Sequence, residues 1–183
     1  MPRITPVDPE TATGRTKQLL NTVQAQLGAT PNLMRTLAAS PSALDGFLKL
    51  AGALAGGRLD RRFQEQIALA VAETNSCEYC LAAHSTLGAL AGLSAADIAD
   101  ARAARSSDSR RDAGLKFVRA VVVHRGQITD AALADARAAG LVDAEIVEMI
   151  ANIALNVLTN YINHVAATEV DFPAVDPLMA ASA

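Results

Sequence analysis

Aromatic side chains are scarce in this chain of 183 residues: they make up 3% of it, and tryptophan is absent. Hydrophobic residues nevertheless account for 51% of the sequence, so alanine, leucine, isoleucine and valine must fill the core. This composition favours helices and contains few residues that favour a pleated sheet. The low share of charged residues, 19%, excludes a disordered chain.

An excess of positive charge is also missing. The chain has sixteen lysines and arginines and nineteen acidic residues, which gives a net charge of -3, and it contains no basic block. Nucleic acid and anionic membrane surfaces are therefore not expected as partners. The longest apolar stretch, 146–162, contains Glu148 and three asparagines, so it does not predict a membrane span. Residues 1–6 lack the apolar run of a secretory signal, and we expect a cytoplasmic protein.

Prolines, glycines and capping residues divide the chain into segments of helical length. The first predicted helix runs from Asp8 to Gly28 and the last from Asp143 to Ala167. One helix is expected to end near Asn75 in a left-handed conformation, and the next to begin at Ser76, a good N-cap residue. No segment alternates like a strand. The sequence thus predicts an all-α chain of about eight helices in a single domain, residues 1–183.

Cysteine is scarcer than the aromatics, since Cys77 and Cys80 are the only two. They cannot form a disulfide framework, and in a reducing compartment such a pair is typically redox-active or metal-binding. A helix that begins at Ser76 places both thiols near its start, where free N–H groups and the helix dipole favour a thiolate. At roughly 100° per residue, Cys77, Cys80 and His84 lie on one face, so His84 is placed to accept or relay a proton.

This spacing permits a reversible disulfide, because side chains three residues apart on a helix are neighbours. Peroxide reduction is one chemistry that follows. A thiolate attacks the O–O bond and becomes a sulfenic acid, and the second thiol then traps it with loss of water.

Other interpretations remain open at this point. A structural zinc site at Cys77, Cys80 and His84 would need a fourth ligand, and His124 and His164 do not have finger-like spacing. Two buried free cysteines beside a core histidine are a further alternative. A thioredoxin-like fold is disfavoured because no βαβ pattern surrounds the motif.

The spacing of these residues is similar to that of a known family. Glu65 is followed after eleven residues by Cys77 and Cys80, and then after three more by His84. In a helical chain, this pattern resembles the carboxymuconolactone decarboxylase superfamily, and specifically its alkylhydroperoxidase D-like branch. The resemblance covers about residues 41–173, which would form the core of the domain. Its end, residues 160–173, looks like the ending of the peroxidase-related members.

The resemblance implies a cofactor-free thiol peroxidase without a metal. Cys80 would attack the hydroperoxide, Cys77 would be the resolving thiol and proton donor, and Glu65 and His84 would form a proton relay. A dithiol donor, such as a lipoyl protein or a thioredoxin-like partner, would recycle the protein, which would be a homotrimer or a hexamer. One residue departs from the pattern: Tyr79 stands where the alkylhydroperoxidase has histidine, which puts donor specificity and rate in question.

Residues outside this motif give further expectations. Glu65 is expected on the preceding helix, where a packed helix pair brings its carboxylate to the imidazole of His84. Four asparagines at helical spacing indicate either a helix contact, beside the thiols or between subunits, or a solvated face; they are Asn152, Asn156, Asn160 and Asn163.

We expect His164 to be buried and hydrogen-bonded, and His124 to lie near a helix C-terminus. Apolar helix faces left uncovered predict association. A rival hypothesis is a non-catalytic helical oligomer whose CxxC motif binds zinc or senses redox state.

Overall fold

The computed structural model describes residues 1–175 and Leu178, and in this part of the chain it contains nine helices and no strand. The helices are α1 (Gly14–Leu27), α2 (Asn32–Leu37), α3 (Pro41–Ala55), α4 (Arg61–Thr74), α5 (Glu78–Leu90), α6 (Ala95–Arg102), α7 (Ser109–Val123), α8 (Asp130–Ala138) and α9 (Asp143–Ala166). The predicted all-α fold class is confirmed. Residues 176–177 and 179–183 of the predicted domain lie outside the described residues.

Helix α4 is the central element, packed against α5, α6, α7 and α9. Its apolar side chains Ile67, Leu69 and Val71 are completely buried. Alanines stand between and beside them and allow neighbouring helices to approach closely. Two polar side chains of this helix, Glu65 and Gln66, are therefore also held in the protein interior.

Two apolar clusters surround α4. One is formed with α6 to α9 and includes Leu115 and Met149. The other is formed by α1, α2, α3 and α5 and includes Leu20, Leu44 and both cysteines. The thiols therefore lie inside a packed part of the molecule rather than on a surface loop.

The first helix begins later than the sequence predicts. The side chain of Asp8 accepts a hydrogen bond from the Glu10 N–H, at 3.0 Å, within a turn at residues 9–11. Helix α1 then begins at Gly14, whose φ of +57° favours glycine. The residues from Asp8 to Thr13 thus form a separate turn and not a first helical turn.

No helix among residues 1–175 combines the length and apolar character that a membrane crossing requires.

The contact between α4 and α7 gives a prediction about stability. A Cβ added at Gly114 would lie 2.6 Å from Cζ of Phe63, so Gly114→Ala overpacks the core and should lower the free energy of unfolding by about 1–3 kcal/mol. Gly52→Ala is the matched control, because its added Cβ meets nothing within 4 Å. Since alanine is the better helix former, this variant should be unchanged or more stable by about 0.5–1 kcal/mol. Urea unfolding measures both, and equal stabilities for the two variants would contradict the packing described.

Candidate functional site

The CxxC motif begins where α4 ends. Ser76, not Asn75, adopts the left-handed conformation, with φ of +54°, and the Cys77 N–H donates to the Ala72 carbonyl at 2.9 Å. This six-to-one bond is the Schellman ending of a helix. Because Ser76 completes α4, it cannot cap α5, and Cys77 is the N-cap residue instead. The predicted start at Ser76 is therefore wrong by one residue.

Cys77 and Cys80 are bonded to each other as a disulfide, with their Cα atoms 5.3 Å apart. Both are buried, with 1% and 2% of their surface exposed. The Sγ of Cys77 also accepts a hydrogen bond from the Cys80 backbone N–H at 3.4 Å. The cysteines are thus as buried as the non-catalytic alternative expects, but they are paired and not free.

Glu65 and His84 are in contact, as expected from a packed helix pair. Glu65 lies on α4 and His84 on α5, and Oε2 of Glu65 is 2.8 Å from Nδ1 of His84. The other carboxylate oxygen of Glu65, Oε1, accepts a hydrogen bond from Nε of Arg61 at 3.0 Å. Both carboxylate oxygens of this buried residue are therefore hydrogen-bonded.

The surroundings of Glu65 act on its acidity in opposite directions. Burial raises the pKa of the carboxyl, but the hydrogen bonds and positive charges of His84 and Arg61 outweigh it, so the pKa lies below its usual value. Glu65 is therefore ionised at neutral pH. A carboxylate at Nδ1 favours the imidazole tautomer in which that nitrogen carries the hydrogen.

A cavity of about 410 Å³ lies beside this pair, and Cys80, His84 and Glu65 all line it. We call it the apolar cavity, because most of its wall is hydrocarbon. The apolar lining comes from α1, α2, α3, α5 and the residues after α9, and includes Leu27, Met34, Phe47, Leu48, Leu54, Leu87, Leu90 and Phe172. The site thus combines a sulfur, a base and a carboxylate at the wall of a space suited to an apolar ligand.

Cys77 does not line the apolar cavity. It lines a second cavity of about 260 Å³, which we call the polar cavity, between the start of α5 and the end of α9. Of the three residues expected on one face, Cys80 and His84 line the apolar cavity, while Cys77 meets Cys80 in the disulfide but lines the polar cavity. The reason is local: as N-cap, Cys77 has an extended backbone, with φ of -90° and ψ of 93°, so its side chain leaves the helical path.

The asparagine stripe of α9 is buried, so its interpretation as a solvated face is wrong. Nδ2 of Asn163 donates to Sγ of Cys80 at 3.2 Å, and Oδ1 of Asn160 accepts from Nδ2 of Asn75 at 2.8 Å. Asn152 and Asn156 donate to backbone carbonyls one turn earlier in α9. The stripe therefore faces the thiol site within the chain, and one of its amides touches a cysteine.

Tyr79 is held by a residue far away in the sequence. Its hydroxyl donates to Oδ1 of Asp171 at 2.7 Å and accepts from the Leu33 N–H at 3.1 Å. Burial and the contact with Asp171 raise the pKa of this phenol well above its usual value. Its ring also packs edge-on against Phe172, with centroids 5.7 Å apart. Tyr79 is therefore neutral and fixed, and it lines both cavities.

The two remaining histidines lie apart from the Glu65–His84 pair. His164 is exposed, so the expectation that it is buried is wrong, but its Nε2 is 3.0 Å from the Asn75 carbonyl oxygen. His124 caps the C-terminus of α7, as expected. Among the described residues, no group of three or more histidine, cysteine and acidic side chains is arranged to hold a metal ion.

Two residues of the site, Arg61 and Asp171, were not singled out from the sequence. Arg61 stands four residues before Glu65, a helical spacing typical of ion pairs, so a signal was present. Asp171 reaches Tyr79 from a position 92 residues away in the sequence. No local pattern identifies such contacts.

Comparison with known proteins agrees with this geometry. Residues 41–122 match the model of the carboxymuconolactone decarboxylase family. No curated protein matches the chain by sequence.

Solved structures extend the likeness to nearly the whole chain. A peroxidase-related protein from Ralstonia eutropha JMP134, described as an alkylhydroperoxidase AhpD core, is 22% identical with a TM-score of 0.83, over 93% of this chain and 92% of that one. A peroxidase-related protein from Silicibacter sp. TM1040 is 22% identical with a TM-score of 0.78, over 91% and 92%. The debrominase Bmp8, solved with 2,3,4-tribromopyrrole, is 17% identical with a TM-score of 0.79, over 92% and 91%. Residues 41–122 are thus similar to the carboxymuconolactone decarboxylase family, and nearly the whole chain has the fold of the alkylhydroperoxidase AhpD core.

Proposed function

We propose that this protein is a cofactor-free thiol peroxidase that reduces organic hydroperoxides with its CxxC dithiol. One observation carries the proposal: Cys80, His84 and Glu65 line the same apolar cavity, and the imidazole is hydrogen-bonded to a buried, ionised carboxylate. A sulfur beside a base and an apolar space is the arrangement that attack on an organic hydroperoxide needs.

Cys80 is the attacking sulfur in this proposal, because it and not Cys77 lines the apolar cavity. In the reduced protein, its thiolate attacks the terminal oxygen of the hydroperoxide and the O–O bond breaks. The alkoxide leaves with one proton as an alcohol, and Cys80 becomes a sulfenic acid. The amide of Asn163, which donates to Sγ of Cys80, favours the thiolate form of that sulfur.

His84 moves the proton in this scheme. With Nδ1 held by Glu65, Nε2 is the free acceptor, and among the described residues it has no hydrogen-bond partner. It takes the Cys80 proton before attack and returns it to the leaving alkoxide. The carboxylate of Glu65 stabilises the imidazolium that forms in between.

Cys77 completes the oxidation. Its sulfur attacks Sγ of the Cys80 sulfenic acid, an S–S bond forms, and the oxygen leaves as water. The pairing of Cys77 with Cys80 in the structure supports this step, because it places the two sulfurs within bonding reach. A dithiol, supplied by a lipoyl protein or a thioredoxin-like protein, then provides two electrons and two protons to restore the thiols.

A second candidate is reductive debromination of an apolar ring. It is favoured by the apolar cavity beside Cys80 and by the shared fold of the debrominase Bmp8. This reaction needs no reductant other than the dithiol, because an aryl bromide and two thiols give the arene, a disulfide, bromide and one proton.

Thiol titration tests the peroxidase function. One equivalent of cumene hydroperoxide should remove two thiols from the reduced protein, and dithiothreitol should restore them. Cys80→Ser should not consume the hydroperoxide, whereas Cys77→Ser should stop at a sulfenic acid that dimedone traps on Cys80. Full turnover by either variant would contradict the mechanism.

The same assay separates the alternatives. If tribromopyrrole and not the hydroperoxide oxidises the dithiol and releases bromide, debromination is the function. If the isolated protein carries zinc that holds both thiols, the non-catalytic zinc-binding hypothesis holds. If a hydroperoxide oxidises the thiols once but a dithiol donor does not restore them, the motif is not a catalytic peroxidase centre.

The lowered pKa of Glu65 gives a prediction about pH. A carboxyl whose pKa is lower in the folded chain stabilises the fold above the usual glutamate value of about 4.3, and this contribution is lost as the pH falls through the lowered pKa. Wild type should therefore lose more stability between neutral pH and pH near 3 than Glu65→Gln does, as measured by urea unfolding. Glu78→Gln, the same change at an exposed site, should follow wild type. Identical pH profiles for wild type and Glu65→Gln would contradict the burial of an ionised Glu65.

We also propose that the chain associates with copies of itself, as a homotrimer or a hexamer. An uncharged stripe on α9 is exposed and consists of Val147, Ile150, Ala154, Leu158, Tyr161 and Val165. Apolar side chains at this spacing form a continuous stripe on one helix face, and a second copy can cover them.

Light scattering after size-exclusion chromatography checks the association. Replacing both Val147 and Val165 by glutamate should lower the measured mass, because it places charge in the contact. Val123→Glu is the control, since Val123 is equally exposed but lies at the end of α7. A monomeric wild type, or equal masses for all three proteins, would contradict the proposal.

A further inference from the structure

The disulfide lies between two cavities. Cys80 lines the apolar cavity but not the polar one, and Cys77 lines the polar cavity but not the apolar one. Tyr79 lines both, and its hydroxyl is fixed by Asp171 and Leu33, so its side chain forms part of a rigid wall between them. The two cysteines of one disulfide therefore border different cavities.

Two residues that line the polar cavity have a side-chain oxygen without a partner among the described residues. Oδ1 of Asn163 and Oγ1 of Thr168 are buried and have no hydrogen-bond partner among the described residues. Both residues line the cavity, and they are 5% and 9% exposed. A buried oxygen left without a donor costs about 1–3 kcal/mol, so such atoms indicate a ligand that supplies N–H or O–H groups.

We infer that the reductant enters through the polar cavity and attacks Sγ of Cys77, while the hydroperoxide reaches Cys80 from the apolar cavity. The part concerning the hydroperoxide rests on the proposed function. The part concerning the reductant does not, because a disulfide between these cysteines has to be reduced whatever oxidised it.

The reduction takes two balanced steps. A donor thiolate attacks Sγ of Cys77, the Cys77–Cys80 bond breaks, and Cys80 leaves as a thiolate and takes up a proton. The donor's second thiolate then attacks the donor sulfur of the mixed disulfide, which releases Cys77 as a thiol and leaves the donor as a disulfide. Two electrons and two protons pass from donor to protein.

The donor attacks Cys77 rather than Cys80 because Cys77 is the more accessible to it, and not because the two cysteines differ as leaving groups. Each sulfur accepts one N–H hydrogen bond, Cys77 from the Cys80 backbone at 3.4 Å and Cys80 from the Asn163 amide at 3.2 Å. Both thiolates are therefore stabilised in the same way. The hydrocarbon wall beside Cys80 disfavours a polar thiolate donor, whereas the unpartnered oxygens beside Cys77 attract one.

The size and lining of the polar cavity define the chemical class of the donor. At about 260 Å³, it accepts a small dithiol or a narrow dithiol-bearing arm, and it is too small for a folded domain. The unpartnered oxygens favour a dithiol that carries hydroxyl or amide N–H groups close to its sulfurs. Dithiothreitol has two such hydroxyls, and butane-1,4-dithiol is its match without them.

A matched pair of variants tests the separation. Val170 lines the polar cavity and Leu90 the apolar one, and both side chains are exposed, so tryptophan can replace either without entering the core. Val170→Trp should slow reduction of the disulfide by dithiothreitol at least tenfold and leave oxidation of the reduced protein by cumene hydroperoxide unchanged. Leu90→Trp should slow oxidation by cumene hydroperoxide at least tenfold and leave reduction by dithiothreitol unchanged. Both rates come from mass spectrometry after quenching with N-ethylmaleimide.

Thr168→Val provides a second test, because valine has nearly the same shape as threonine but lacks the hydroxyl group. Loss of one hydrogen bond should reduce the rate advantage of dithiothreitol over butane-1,4-dithiol by roughly threefold to tenfold. The inference is overturned if this ratio is unchanged, or if Leu90→Trp slows dithiothreitol as much as Val170→Trp does. If cumene hydroperoxide does not oxidise the wild type, the proposed function fails, while the dithiothreitol rates still decide how the reductant enters.

Discussion

The buried carboxylate of Glu65 is the constraint on which the rest of the site depends. Helix α4 is enclosed by four neighbouring helices, so a charge on its inner side must be compensated within the protein. His84 and Arg61 provide this compensation, one for each carboxylate oxygen. The pairing holds α5 against α4 and fixes the imidazole at the edge of the apolar cavity. One hydrogen bond thus both compensates a buried charge and orients the imidazole.

The junction between α4 and α5 sets the positions of the two sulfurs. Since Ser76 completes the ending of α4, Cys77 becomes the cap of α5 and Cys80 lies within its first turn. The cap has an extended backbone and the first turn is helical, and the two bonded cysteines line different cavities. A single residue in a left-handed conformation therefore separates the environments of two atoms that share a bond.

The shared fold does not select one reaction. Proteins with this fold include peroxidase-related proteins and a debrominase, at sequence identities too low to transfer a substrate. A dithiol supplies two electrons to either kind of substrate. In this chain, the wall of the apolar cavity and the Glu65–His84 pair surround the position that Cys80 occupies.

The sequence by itself determined the all-α class, most helix ends, the spacing of Cys77 and Cys80, and the pairing of Glu65 with His84. These follow from composition, from capping chemistry and from helical periodicity, which act over a few residues, together with a motif that resembles a known family. Tertiary structure alone decided that Asn163 contacts Cys80 and that Asp171 holds Tyr79. It also decided that His164 is exposed and that Cys77 and Cys80 line separate cavities. These outcomes depend on how distant helices pack and on one backbone angle at Ser76, and neither leaves a local signal in the order of the residues.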